Sequence, residues 1–236
     1  MSQPWFHLAA LPAPGEFAAL DRDEAKHALG ARRLGAGDGV VLFDGAGALA
    51  QARLEGGRDR QGGVLARVES VERRGAIEPA VLLGVAIPKG DRFGTLLDMA
   101  AQLAAAAIVP LETDYGVKDP ERLNRARAQR ILLEGCKQSR NAWLPRLEEP
   151  MRLEAFVARA RARGLPALVA HPGGAPLRAA AAGAREVAIA IGPEGGFSES
   201  EMRAAQGAGA TAVTLGPTIL RIEAAATAAL AALRVP

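Results

Sequence analysis

"VAIAIGPEGGFSESE", residues 187 to 201, passes from an unbroken apolar run into a loop of glycine, proline and one carboxylate, Glu194, and then into Ser198-x-x-Glu201. A short continuous apolar run reads as a strand buried on both faces, and an S-x-x-E pattern is a capping box that starts a helix. Strand, glycine loop and capped helix in succession place the loop outside the carboxyl end of a sheet, where open α/β folds bind their ligands.

Working outward, "AVLLGVAI" (80 to 87), "PALVAH" (166 to 171) and "TAVTL" (211 to 215) are further short apolar runs separated by helical patterns. Buried strands alternating with helices predict a mainly parallel α/β sheet. Asp119-Pro120 predicts the start of a long helix ending near Ser139, and an alanine-rich helix is expected over 222 to 234. Upstream, "DGVVLFDGAGALAQARLEGG" (38 to 57) has two strand-like runs around an Asp44-Gly45 turn signal, the texture of a small antiparallel barrel. The composition shifts near Arg74 to Pro79, which predicts two domains, 1 to 75 and 76 to 236.

The chain has one cysteine, Cys136, which excludes an intramolecular disulfide and a cysteine-based metal cluster; no metal is expected, and a reducing, cytoplasmic setting is. The N-terminal stretch lacks a basic segment followed by an uninterrupted apolar one, and no later run is apolar for long enough to span a bilayer, so no membrane association is expected. Scarce aromatics argue against an aromatic-lined carbohydrate or single-strand-binding surface. Net charge is +3, yet between Glu121 and Arg146 lie Arg122, Arg125, Arg127, Arg130, Lys137, Arg140 and Arg146 against only Glu121 and Glu134. That cluster reads either as a phosphate-neutralising surface or as a solvated helix face.

The loop Gly192-Pro193-Glu194-Gly195-Gly196 reads as a tight turn or as a ligand site. As a site it does not suit phosphate, because it lacks the P-loop and dinucleotide fingerprints and Glu194 repels a polyanion; an adenine ribose or a cation fits better. "VTLGPTILRIE" (213 to 223) repeats the design, with Leu215 and Gly216 ending a strand ahead of Ile219, Leu220, Arg221 and Glu223. "VAHPGG" (169 to 174) supplies a third such loop, with His171. Loops of this kind at neighbouring strand ends can enclose one flat ligand.

The motifs "PKGDR" (88 to 92), "IVPLET" (108 to 113), "EGCKQS" (134 to 139), "IGPEGGFSESE" (191 to 201) and "LGPTILRIEAAA" (215 to 226), in this order, resemble the ribosomal RNA small subunit methyltransferase E family, and "HALGARRLGAGDGVVLFDGAG" (27 to 47) resembles its N-terminal segment. The resemblance covers nearly the whole chain. It implies a SPOUT-type α/β domain with S-adenosylmethionine held in a trefoil knot, an N-terminal PUA-like β-barrel that binds RNA, and a homodimer. It also implies methylation of N3 of a uridine in 16S rRNA of the small ribosomal subunit. The cofactor-binding residues it implies are His171, Gly192, Pro193, Glu194, Gly195, Gly196, Leu215, Gly216, Ile219 and Leu220.

Under that resemblance Arg221 stabilises the uridine anion, or else grips a phosphate or pairs with Glu223, while Glu223 orients the arginine or accepts the proton. Lys26, Arg32, Arg33 and Arg140 are candidate RNA contacts. The chain departs from the family pattern at Met99, Tyr115, Thr218 and Ile222, where basic or hydroxyl residues are customary. Those departures leave open a catalytically impaired RNA-binding relative, or a methyltransferase for another RNA.

Overall fold

The computed structural model describes residues 3–20, 24, 34–58, 63–116 and 123–234. Two compact units emerge, Met1–Ala76 with Cys136–Leu144, and Ile77–Gly135 with Pro145–Pro236.

In the first unit, β1 (Trp5–His7), β2 (Phe17–Leu20), β3 (Gly39–Phe43), β4 (Ala48–Arg58) and β5 (Val64–Arg73) form one sheet in the order β1-β3-β4-β5-β2. Alternation buries Val40, Leu42, Ala50, Ala52, Leu54 and Val68 with Phe6 and Leu20. The Asp44 turn is built as the sequence suggests, its carboxylate accepting the Ala46 and Ala48 backbone N–H groups at 2.7 and 2.9 Å.

The stretch 38 to 74 is antiparallel as expected, β4 pairing with both β3 and β5, while the sheet as a whole is mixed. β1 runs parallel to β3, and no β1 to β2 ladder closes the sheet among the described residues. Parallel neighbours need a long return connection, and the stretch between His7 and Gly39 provides one.

The segment Cys136–Leu144 completes this unit. The Trp143 indole N–H donates to the carbonyls of Arg74 and Gly75 at 3.2 and 3.1 Å, and the Gly47 N–H donates to the Ala142 carbonyl. Cys136 is wholly buried, and burial pushes its thiol from 9.0 up to about 12. Thiolate is the reactive form, so iodoacetamide at pH 8 is expected to leave Cys136 unmodified until the chain is unfolded in urea; labelling of folded protein at the unfolded rate would contradict this. Because the folded pKa is the higher one, this group leaves folding stability unchanged below pH 9 and lowers it progressively as pH rises toward 12.

In the second unit the chain runs β6 (Ala80–Ala86), α1 (Arg92–Gln102), β7 (Ala107–Glu112), α2 (Arg125–Ser139), β8 (Arg146–Leu147), β9 (Met151–Arg152), α3 (Leu153–Ala162), β10 (Ala167–Pro176), α4 (Leu177–Ala180), β11 (Glu186–Ile191), α5 (Glu199–Gly207), β12 (Thr211–Thr214) and α6 (Ile222–Arg234). α2 passes from this unit into the first. The sheet order is β12-β10-β11-β6-β7-β8, with β9 also on β7, and every ladder is parallel. Asp119 and Pro120, the expected start of the long helix, lie outside the described residues, and α2 begins only at Arg125, after the non-helical Leu123 and Asn124.

The apolar runs are buried on both faces, as two-sided strands require. Phe156 and Val157 of α3 cover Leu82, Val109, Val169 and Ala190 in one cluster. α1 packs against α6, where Arg234 donates to the carbonyls of Leu103, Ala104 and Pro79. The chain leaves β6 toward β7 but leaves β11 toward β12, so connections diverge between β6 and β11. A crevice at the carboxyl ends is the expected ligand site at such a point.

β10 departs from expectation. It does not end at His171; Ala170 and Ala175 both face Val213, so His171-Pro172-Gly173-Gly174 is a four-residue excursion within a strand that resumes to Pro176.

Candidate active site

The excursion in β10, the Gly192–Gly196 loop after β11 and the Leu215–Leu220 loop after β12 surround one cavity of about 830 Å³. All ten residues assigned above to cofactor binding line it, joined by Phe197 and Ala225. The capping box forms: the Ser198 hydroxyl accepts the Glu201 N–H, and the Glu201 carboxylate accepts the Ser198 N–H at 2.7 Å. Three sequence segments thus meet because their strands are neighbours in the order β12-β10-β11.

Glu194 is not an isolated carboxylate. Arg92, at the start of α1, donates to its Oε1 at 2.8 Å, and the same guanidinium lies 3.8 Å from Glu223. Arg92 therefore ties the loop after β11 to the first turn of α6, across the point where the connections diverge. The buried Oε2 of Glu223 has no hydrogen-bond partner among the described residues. Arg92 stands in the "PKGDR" motif, but nothing in sequence shows a pairing across 102 positions.

Arg221 follows the cavity-lining loop, is exposed, and pairs with no acidic side chain among the described residues. The Arg221 and Glu223 pairing entertained from sequence does not form: Arg221 stands just before α6, while Glu223 lies in its first turn. Glu223 faces Arg92 instead.

These are the features of a site for a small molecule beside an open surface: a cavity within the usual ligand range, lined by glycine, proline and apolar residues, with the exposed Arg221 directly after one of its loops. A model of the RNA methyltransferase domain matches residues 77–234, and one of the RNA methyltransferase PUA domain matches residues 20–61. Ribosomal RNA small subunit methyltransferase E of Mycobacterium bovis is 34% identical over 98% of this chain and 90% of its own length. The chain belongs to the ribosomal RNA small subunit methyltransferase E family.

Solved relatives span both units. The ribosomal RNA small subunit methyltransferase E of Neisseria gonorrhoeae, bound to S-adenosyl methionine, is 28% identical with a TM-score of 0.88, covering 99% of this chain and 97% of that one. A Legionella pneumophila protein solved in complex with the bound cofactor SAM is 30% identical with a TM-score of 0.85, covering 99% and 98%. The first unit is accordingly a PUA-like domain, with the mixed sheet described above, and the second an RNA methyltransferase domain.

The departures from the family pattern fall in different places. Met99 is on the outer side of α1, Ile222 is buried at the start of α6, and Thr218 lines the cavity. Tyr115 is exposed beside Gly195.

Of the candidate RNA contacts, Lys26, Arg32 and Arg33 lie outside the described residues. Arg140 is exposed, with a left-handed backbone (φ 58°) at the end of α2. The basic cluster is largely engaged locally: Arg125 donates to the Leu147 and Glu148 carbonyls, Arg127 lies 3.5 Å from Asp91, and Lys137 pairs with Glu24. Among its described members, Arg130 and Arg140 are left facing no acid.

Among the described residues no helix is long and apolar enough to cross a membrane, and no group of three or more His, Cys, Asp or Glu could hold a metal ion.

Proposed function

We propose that this protein uses S-adenosylmethionine to methylate N3 of a uridine in 16S rRNA of the assembled small ribosomal subunit, acting as a cytoplasmic homodimer with a trefoil-knotted catalytic domain. The observation that carries the reading is the single cavity enclosed by the three glycine loops, in a chain of this family. Its volume and its glycine-rich, mainly apolar lining suit an adenosine whose polar edges are met by main-chain groups.

His171, Gly192, Pro193, Glu194, Gly195, Gly196, Leu215, Gly216, Ile219 and Leu220 would hold the cofactor, which when bound supplies an electrophilic methyl group on a sulfonium. Glu194 suits a cation, and Arg92 offsets part of its charge and ties the loop to the start of α1. Uridine N3 must lose its proton before it attacks, and negative charge spreads onto the uracil carbonyl oxygens. Arg221, unpaired beside the cavity loop, donates to one of those oxygens and stabilises the anion. Glu223 acts through Arg92 as a positioning residue, because its carboxylate faces that guanidinium.

Small subunits purified from cells lacking this gene, incubated with the protein and S-adenosylmethionine, are expected to give one new primer-extension stop at a decoding-region uridine, since an N3 methyl blocks pairing. Cofactor binding without a stop, on intact subunits, would overturn the proposed substrate. No cofactor binding by titration would overturn the whole reading.

A further inference from the structure

We propose that Tyr115 is a stacking platform for an unstacked nucleobase of the RNA substrate, beside the cofactor cavity. The inference rests on the RNA methyltransferase reading above and adds to it a binding residue on the substrate side.

Tyr115 lies just beyond the carboxyl end of β7, in a turn closed by the Gly116 N–H donating to the Thr113 carbonyl at 3.2 Å. The residue before it is held on both main chain and side chain. The Asp114 N–H donates to Glu201 Oε1 at 3.0 Å, and the Asp114 carboxylate accepts the Ser198 hydroxyl at 2.6 Å. Ser198 and Glu201 form the capping box of α5, so the turn is fastened to the same rigid helix start that ends the glycine loop.

The ring is thereby placed over Gly195. A side chain starting from Gly195 would meet Tyr115 Cβ, Cδ2 and Cγ at 3.5, 3.6 and 3.7 Å. Gly195 also lines the cavity. Yet Tyr115 remains 62% exposed, and its hydroxyl has no hydrogen-bond partner among the described residues.

A ring serving only to pack on the loop would bury most of its surface. Here an aromatic on a fastened turn is open to solvent, next to the loop that walls the cavity. Chemistry on a base requires that the base leave its stack, and an aromatic side chain offers the lost π-face regardless of sequence. One ring at one position fits this task in a chain otherwise poor in aromatics.

Tyr115 is the only tyrosine in the chain, so protein labelled with 3-fluorotyrosine gives one fluorine resonance. Oligouridylate is expected to shift that resonance upfield, while an abasic ribose-phosphate strand of equal length leaves it in place. On small subunits, Tyr115→Ala is expected to raise KM about tenfold with little change in kcat. Its S-adenosylmethionine Kd should stay unaltered, and Tyr115→Phe, which keeps the ring, should retain the wild-type KM.

No base-dependent shift, or an unchanged KM in Tyr115→Ala, overturns the proposal. So does a cofactor Kd that rises with KM, since the ring would then only brace Gly195. Failure of the wild-type protein to methylate small subunits counts instead against the proposed substrate, and the fluorine measurement still decides whether Tyr115 stacks on a base.

Discussion

Gly174→Ala is expected to destabilise the second unit by about 3 kcal/mol or more, lowering its thermal midpoint by roughly 6–12 °C. A Cβ there would lie 2.5 Å from the Val213 nitrogen and 2.6 Å from the carbonyl carbons of Ala212 and Val213. These are backbone atoms of β12, which cannot rotate aside as a side chain can. The strands would have to part where β10 returns to its ladder after the excursion.

Gly173→Ala is the control. Its φ of 77° carries the left-handed cost of about 1–2 kcal/mol, but the space around it is open within 4 Å. Calorimetry of the two variants separates close approach from backbone strain. Equal midpoints would show that the strands give way easily. The His171 side of the cavity belongs to the displaced segment, so Gly174→Ala is also expected to weaken S-adenosylmethionine binding.

Arg221→Ala is expected to lower kcat about 100-fold or more while leaving the S-adenosylmethionine Kd within about twofold, the signature of a group that acts on charge developed in the reaction. The expectation follows from placement. Arg221 directly follows the loop that lines the cavity, and its side chain is exposed and pairs with no carboxylate among the described residues. Arg221→Lys should recover part of the loss, because a point charge replaces a planar donor pair. A raised cofactor Kd with unchanged kcat would reassign Arg221 to cofactor binding.

Much of this architecture was legible in the sequence because burial on both faces leaves a direct mark. The apolar runs at 80, 187 and 211 are strands β6, β11 and β12, and the Ser198-x-x-Glu201 box starts α5. The cavity was legible through its glycines, which stand together wherever main chain must approach a ligand.

Strand order was not legible, since it depends on which way each connection crosses the sheet. For the same reason Arg92 passed without a role, its partners being brought to it only by β11 lying next to β6 and by α6 packing on α1. The basic cluster misled in part. Charge counted along a chain does not reveal that Arg125 donates to the carbonyls of Leu147 and Glu148 at the end of β8 or that Lys137 faces Glu24. The length of β10 was hidden because His171-Pro172-Gly173-Gly174 reads as an ending, while the ladder resumes beyond it.

The interrupted pairing of β10 with β12 also bears on how the site comes into being. Residues 168 to 170 pair with 211 to 213, so this wall needs a contact about forty positions apart in the chain, at the sheet's outer edge. Parallel pairing of distant segments forms slowly, because loop-closure entropy is lost before the contacts compensate. Every cavity-lining residue lies between Ala170 and Ala225. A nascent chain emerging from a ribosome can therefore assemble the first unit and β6 to β9 before it has any pocket, and acquisition of ligand affinity marks the completion of folding.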